Sequence, residues 1–157
     1  MLGMKNTDNK TICGVYNRSM RLALARNICS DQNGFVHGRQ FINNIVELDT
    51  QARVHACEAF GAAPLDPNAR SGTFPLTPLM DFAVAFPSIS QTWVAQCMAA
   101  AGFPRCFADL TAGVYHLPSC LSTGQTNSSF LWWAFSGILQ GCPLSGTLFA
   151  VGTHPLL

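Results

Sequence analysis

The last 48 residues of the chain, 110–157, contain no aspartate, glutamate, lysine or arginine. The whole chain has 157 residues, which is enough for one domain with a sizeable buried core. Only 11% of its residues are charged, against about 25% in an average soluble domain. A disordered acidic or basic tail protein is excluded, because such chains combine low hydrophobicity with high charge. We therefore expect other parts of a structure to cover this uncharged third of the chain.

The formal net charge of +1 hides an uneven distribution of charged side chains. Residues 1–39 carry six basic and two acidic side chains, a net charge of +4. Residues 40–157 carry three basic and six acidic side chains, a net charge of −3. The first forty residues are therefore the part of the chain suited to contact an anionic partner.

The seven cysteines are scattered, and no two of them have the spacing of a CxxC motif. An odd, scattered count argues against a disulfide framework and against a structural zinc site. The first ten residues also lack the apolar run of a signal peptide. These features predict an intracellular protein, in the cytoplasm or nucleus, with reduced thiols and no disulfide partner.

Residues 130–157 are apolar, but polar residues and prolines such as Gln140, Pro143 and Pro155 interrupt them. A membrane-spanning helix needs about 20 predominantly apolar residues. We therefore expect no stable membrane association, and a small membrane-associated protein is the less favoured alternative.

Hydrophobic periodicity and helix signals predict an α+β arrangement. Ser90 is a predicted helix cap, and prolines at 104 and 143 are predicted to open helices. Irregular, Pro- and Gly-rich residues 61–78 predict a loop. In chain order, the predicted elements are helices in 11–29 and 41–59, a buried strand over 79–84, and helices after 90 and 104. A hairpin follows around the polar residues 119–129, which lie between two β-prone runs; its second strand is predicted to end at Leu139, and a last helix begins after it at Pro143.

Asp81 has an unusual setting, because it lies in an apolar run and is the only acidic residue between Asp66 and Asp109. Burying a carboxylate without a partner is costly, so a buried Asp81 should meet a cation or bind a metal. The plain alternative is an aspartate at the edge of a loop that caps a nearby backbone group.

Several segments together carry a family resemblance. Residues 78–90 read Pro-Leu-Met-Asp-Phe-Ala-Val-Ala-Phe-Pro-Ser-Ile-Ser, and residues 137–145 read Gly-Ile-Leu-Gln-Gly-Cys-Pro-Leu-Ser. Residues 101–104 read Ala-Gly-Phe-Pro, and residues 31–39 read Asp-Gln-Asn-Gly-Phe-Val-His-Gly-Arg, followed by Asn44-Ile45. By their order along the chain and their spacing, these segments resemble the reverse transcriptases of non-LTR (LINE-type) retrotransposons. Residues 2–10 are also similar to that family, and only 61–77 fall in a gap.

The resemblance implies part of a right-hand polymerase, with fingers and an incomplete palm. Residues 1–74 and most of 91–139 would belong to the fingers, and residues 75–90 and 140–157 to the palm. The family synthesises DNA on an RNA template from a DNA primer and deoxynucleotides. Its chemistry is phosphoryl transfer by two Mg²⁺ ions held by carboxylates.

Within that resemblance, individual residues take family roles. Asp81 matches the first metal-binding and catalytic aspartate, and Phe86 matches the aromatic residue under the nucleotide sugar. Gln140 and Gly141 match the turn beside the nucleotide and template. Arg39, together with Lys5 and Lys10, would face phosphates of nucleic acid or nucleotide. The plain alternatives are a core phenylalanine at 86 and solvated lysines at 5 and 10.

The chain also departs from the family pattern. Pro87 replaces a second aspartate, Asn43 stands where the fingers motif has aspartate, and Gly146 replaces a proline. No aromatic-x-Asp-Asp sequence, which carries the family's other metal ligands, occurs in these residues. We therefore expect a reverse transcriptase domain truncated before that motif, without thumb or end of palm and without polymerase activity on its own. The alternative is a degenerate, non-enzymatic remnant that binds nucleic acid weakly.

Overall fold

A computed structural model describes residues 7–62, 81–116, 119–123 and 128–157. The chain divides into two units, one made of Met1–Arg39 and Ala83–Leu157 and the other of Gln40–Phe82. The described residues are mostly helical and include one two-stranded antiparallel sheet. The elements are α1 (Thr7–Asn27), α2 (Ile42–Ala62), α3 (Ala85–Ser88), α4 (Gln91–Ala100), α5 (Arg105–Tyr115), β1 (Ser119–Thr123), β2 (Ser128–Trp133), α6 (Ser145–Thr153) and a 3₁₀ turn (His154–Leu156).

Local capping signals set the bounds of the helices in the first unit, as predicted. The Ser90 side chain accepts a hydrogen bond from the Trp93 backbone N–H at 3.3 Å and begins α4. Gly102 follows this helix with a φ of +71°, a conformation that favours glycine. Pro104 directly precedes α5. The last helix begins at Ser145, two residues after Pro143.

The core of the first unit is built around α6. Leu148 and Ala150 of this helix are fully buried, and so are Met20 and Leu24 of α1 and Met98 of α4. A side-chain hydrogen bond adds to this packing, since Trp93 Nε1 donates to the Gly152 carbonyl at 2.8 Å. The uncharged sequence of α6 is thus explained in this unit by burial between other helices.

The C-terminal end of α1 is joined to the 3₁₀ turn. The Cys29 backbone N–H donates to His154 Nδ1 at 3.2 Å. Ile28 beside it is buried, and its N–H continues the helical pattern to the Leu24 carbonyl at 3.0 Å. The first residues of the 28–39 loop are therefore held against the 3₁₀ turn.

The predicted hairpin is confirmed. Strands β1 and β2 pair antiparallel from Ser119 opposite Trp133 to Thr123 opposite Ser128, with an irregularity between Cys120 and Leu121. The second strand ends at Trp133, so residues 134–139, predicted to continue it, are not strand.

The predicted buried strand over 79–84 is wrong for its described part. Asp81 and Phe82 have no regular structure, residues 83–84 form a turn, and α3 follows. A strand needs a neighbour for its backbone N–H and C=O groups, and the two described strands pair only with each other. Asp81 is accordingly exposed rather than buried in a sheet. Residues 61–62 of the loop predicted over 61–78 belong to helix α2, and residues 63–80 lie outside the described residues.

The second unit contains α2, and this helix confirms the one predicted from the sequence in 41–59. Its surface carries an ion pair one turn apart, with Arg53 Nε 2.8 Å from Asp49 Oδ2. The predicted apolar stripe is exposed, since Ile45 and Leu48 keep 51% and 38% of their accessible surface. Neither α2 nor any other described helix is long and apolar enough to cross a membrane.

A short backbone pairing joins two distant segments of the first unit. The Ile138 N–H donates to the Phe86 carbonyl at 2.8 Å, and the Gly137 N–H donates to the Ile89 carbonyl at 3.0 Å. The Gln91 side chain returns a hydrogen bond to the Gly137 carbonyl at 3.0 Å. Residues 86–91 are thereby fixed against the residues that precede Gln140.

Replacing Gly137 with alanine should lower the free energy of unfolding of the first unit by about 2–4 kcal/mol. The residue has a φ of +88°, and a Cβ there would lie 2.8 Å from the Pro87 carbonyl oxygen. Urea unfolding followed by tryptophan fluorescence reports on this unit, because Trp93, Trp132 and Trp133 all belong to it.

The matched control is Gly113→Ala within α5, where a Cβ meets no atom within 4 Å. It should raise stability by about 0.5–1 kcal/mol, because alanine loses less conformational freedom in a helix. Equal effects at both positions would contradict the proposed constraint at Gly137.

Candidate functional site

A cavity of about 420 Å³ opens on the surface of the first unit. Its walls come from segments far apart in the sequence: α1, the 28–39 loop, α3, and the turn that leads into α6. A volume of this size lies within the usual range for small-molecule sites. The lining residues are Asn17, Phe35, Phe86, Gln140, Gly141, Cys142, Pro143, Ser145, Gly146 and Thr147.

Aromatic rings form one wall of the cavity. Phe35 and Phe86 meet edge to face with ring centroids 5.7 Å apart, and Phe149 lies 5.0 Å behind Phe86. Such pairs contribute about 0.5–1.5 kcal/mol beyond the burial of their area. Phe35 nevertheless remains 57% exposed, so this wall can still contact a ligand.

Phe35 occupies its place at the cost of an unfavourable backbone conformation. Its φ of +61° is rare for a residue with a side chain. The ring rests on α6 where Gly146 leaves room: a Cβ at Gly146 would lie 2.7 Å from Phe35 Cδ1. Gly146 is therefore the residue that admits the phenylalanine ring.

The turn over 139–145 forms the floor of the cavity and is held from within. Gly141 has a φ of +81°, and the Ser145 hydroxyl donates to the Leu139 carbonyl. The Leu139 N–H donates to the Tyr115 hydroxyl at 3.4 Å. Burial raises the pKa of Tyr115 far above its ordinary value, so its hydroxyl stays protonated.

Asn17 and Thr147 close the side of the cavity between α1 and α6. The Thr147 hydroxyl donates to Asn17 Oδ1 at 2.6 Å, and Thr147 itself is only 4% exposed. Sequence reasoning did not single out either residue. In the sequence, each is simply a polar residue next to apolar ones in a predicted helix. That pattern is too common in helices to indicate a contact between them.

The cavity brings together three of the residues predicted from the sequence. Phe86 is half-buried in its wall, and Gln140 and Gly141 are exposed at its edge. Lys10 is exposed in the first turns of α1, and Lys5 lies outside the described residues. Asp81 belongs to the second unit.

Arg39 has a structural environment that the sequence did not predict. Its guanidinium donates to the carbonyls of Gln32 at 2.9 Å, Ile28 at 3.2 Å and Cys29. These carbonyls follow the end of α1, where helical partners are missing. The side chain therefore ties the loop that carries Phe35 to the end of the helix, and its phosphate-binding role stays a prediction.

Across the described ranges, no three histidine, cysteine, aspartate or glutamate side chains come together as a metal-binding group. Comparisons with protein-family models, with curated protein sequences and with solved structures yielded no match.

Replacing Arg39 with lysine should destabilise the first unit by about 1–3 kcal/mol. An ammonium group cannot reproduce the planar fork that reaches several carbonyls at once. Urea unfolding followed by tryptophan fluorescence gives the free energy. Arg26→Lys, at an exposed position on α1, is the matched control and should change it by less than about 0.5 kcal/mol. A loss no larger than the control's would show that the carbonyl contacts of Arg39 do not stabilise the loop.

Proposed function

We propose that this chain supplies the nucleotide-facing part of a reverse transcriptase domain of the LINE type. It would provide fingers and palm segments of a right-hand polymerase that copies RNA into DNA. The single observation that carries the proposal is the convergence of separate motif segments on one cavity.

Three segments that resemble the family contribute to this cavity. Phe35 comes from residues 31–39, Phe86 comes from residues 78–90, and Gln140 and Gly141 come from residues 137–145. Phe35 and Phe86 lie 51 positions apart in the sequence, and Phe86 and Gln140 lie 54 positions apart. The resemblance consists of residue order and spacing, and the meeting of these segments at one cavity adds geometric support to it.

The chemistry of the cavity suits a nucleotide. An aromatic wall can contact the flat face of a base or the carbon face of a sugar, and amide side chains can satisfy polar edges. Phe86 would lie against the sugar, with Gln140 and Gly141 beside the base or template. Mg²⁺ and its oxygen ligand Asp81 enter the proposal through the resemblance to the family alone.

The exposed basic side chains of α1 suit a nucleic-acid template. Lys10, Arg18 and Arg26 are exposed, and Asp8 is the only acidic residue in the helix. Contacts of this kind are electrostatic and independent of base sequence. They also fit the second candidate function, a non-enzymatic remnant that binds RNA or DNA weakly.

The direct test is binding of deoxythymidine triphosphate with Mg²⁺ by calorimetry. The unaltered chain should bind it, and Gln140→Ala should weaken binding about three- to tenfold, because a hydrogen-bonding group at the cavity edge is lost. The matched control is Gln96→Ala, an exposed glutamine of α4 outside the cavity, which should leave the affinity unchanged. No binding by the unaltered chain would contradict the nucleotide site.

A second test addresses the nucleic-acid surface of α1. Filter binding of a single-stranded RNA should weaken as salt rises, and Arg18→Gln should reduce the slope of log K against log salt by about 0.7. Arg105→Gln, whose position on α5 is 94% exposed, is the control and should leave the slope unchanged. RNA retention without nucleotide binding would favour the remnant, and no salt-dependent retention would exclude both candidate functions for this surface.

A further inference from the structure

The walls of the cavity carry no formal charge. None of its ten lining residues is acidic or basic, and seven of them lie in the run 140–147 of the uncharged part of the chain. A phosphate group needs charged or multiple N–H donors around it. The interior of the cavity therefore suits the uncharged part of a ligand.

One polar group on the cavity wall has an unused hydrogen-bonding capacity. The Oδ1 atom of Asn17 accepts the Thr147 hydroxyl, which leaves the Nδ2 amide group with two N–H donors. Nδ2 has no hydrogen-bond acceptor within the part of the chain that the structure describes, and Asn17 lines the cavity. A ligand carbonyl or ring nitrogen beside it would complete its bonding.

The hydrogen bond from Thr147 also orients this amide. Thr147 is buried on α6 and Asn17 lies on α1, so the bond at 2.6 Å crosses between two packed helices. A side chain held in this way loses little rotational freedom when a ligand arrives, which favours affinity. The opposite wall is the Phe35 and Phe86 pair, which can contact a flat ring.

We infer that the cavity takes the nucleoside part of the nucleotide, with its phosphates outside, and that Asn17 recognises it by a hydrogen bond from Nδ2. This inference rests on the proposed nucleotide site. Thr147 acts as the positioning residue, because its hydroxyl bonds to the Asn17 side chain and holds the amide at the cavity wall.

The experiment compares an uncharged probe with a charged one. The unaltered chain should bind 2′-deoxythymidine, and because no charged wall is involved its affinity should be equal at low and high salt. Binding is followed by NMR titration at both salt concentrations, with deoxythymidine triphosphate as the second ligand.

The informative variant is Asn17→Asp. A carboxylate has nearly the same shape and still accepts the Thr147 hydroxyl, but it cannot donate to a ligand. Thymidine affinity should fall about three- to tenfold or more while the melting temperature stays unchanged. Asn9→Asp, at an exposed position of the same helix, adds the same charge away from the cavity and should leave affinity unchanged.

Thr147→Val provides a second variant if the first one alters folding. Valine keeps the shape of threonine but removes the hydroxyl that holds Asn17, so thymidine affinity should fall about twofold to fivefold. If Thr147 had only a structural role, Thr147→Val would instead lower the melting temperature. It would also weaken the binding of thymidine and of the triphosphate even in a chain that already carries Asn17→Asp.

The outcomes separate this inference from the proposed function. Binding of the triphosphate but not of thymidine would overturn the inference and leave the nucleotide site standing. Failure of both ligands would overturn both. Thymidine binding that Asn17→Asp leaves unchanged would overturn the role of Asn17.

Discussion

The pairing of residues 86–89 with residues 137–138 is the contact on which the candidate site depends. Two backbone hydrogen bonds, each 3.0 Å or shorter, join segments about fifty residues apart. They fix the backbone of Phe86 in one segment, and in the other segment they fix the residues that lead into the turn at Gln140. Gly137 makes the approach possible, because any side chain at that position would meet the backbone of Pro87. Without this pairing, the aromatic wall and the floor of the cavity would be independent loops.

Features with local causes were well predicted from the sequence. Ser90, Pro104 and the polar residues before β2 act through neighbours within a few positions, and the helices and hairpin they predict are present. The strand predicted at 79–84 failed because a strand depends on a partner that no local pattern supplies. For α2, the period of the apolar residues was right, but periodicity does not reveal whether another element covers the stripe.

The candidate site was predicted only in part, because some of its contacts depend on residues that are distant in the sequence. Phe86, Gln140 and Gly141 stand in motifs that sequence order can reveal, and all three line the cavity. The contacts of Arg39 with the carbonyls after α1 form only once the loop has folded back, so its sequence position suggested phosphate binding instead. The bond between Asn17 and Thr147 joins residues 130 positions apart, and no pattern in the sequence links them.

The contact between Phe35 and Gly146 also restricts which residues these two positions can accept. Phe35 rests where a side chain at 146 would collide, and it does so in a strained backbone conformation. A substitution at 146 is therefore acceptable only together with a smaller residue at 35 or a different loop. The two positions are therefore coupled: a substitution at one of them alone would carry a steric penalty that a matched change at both would avoid.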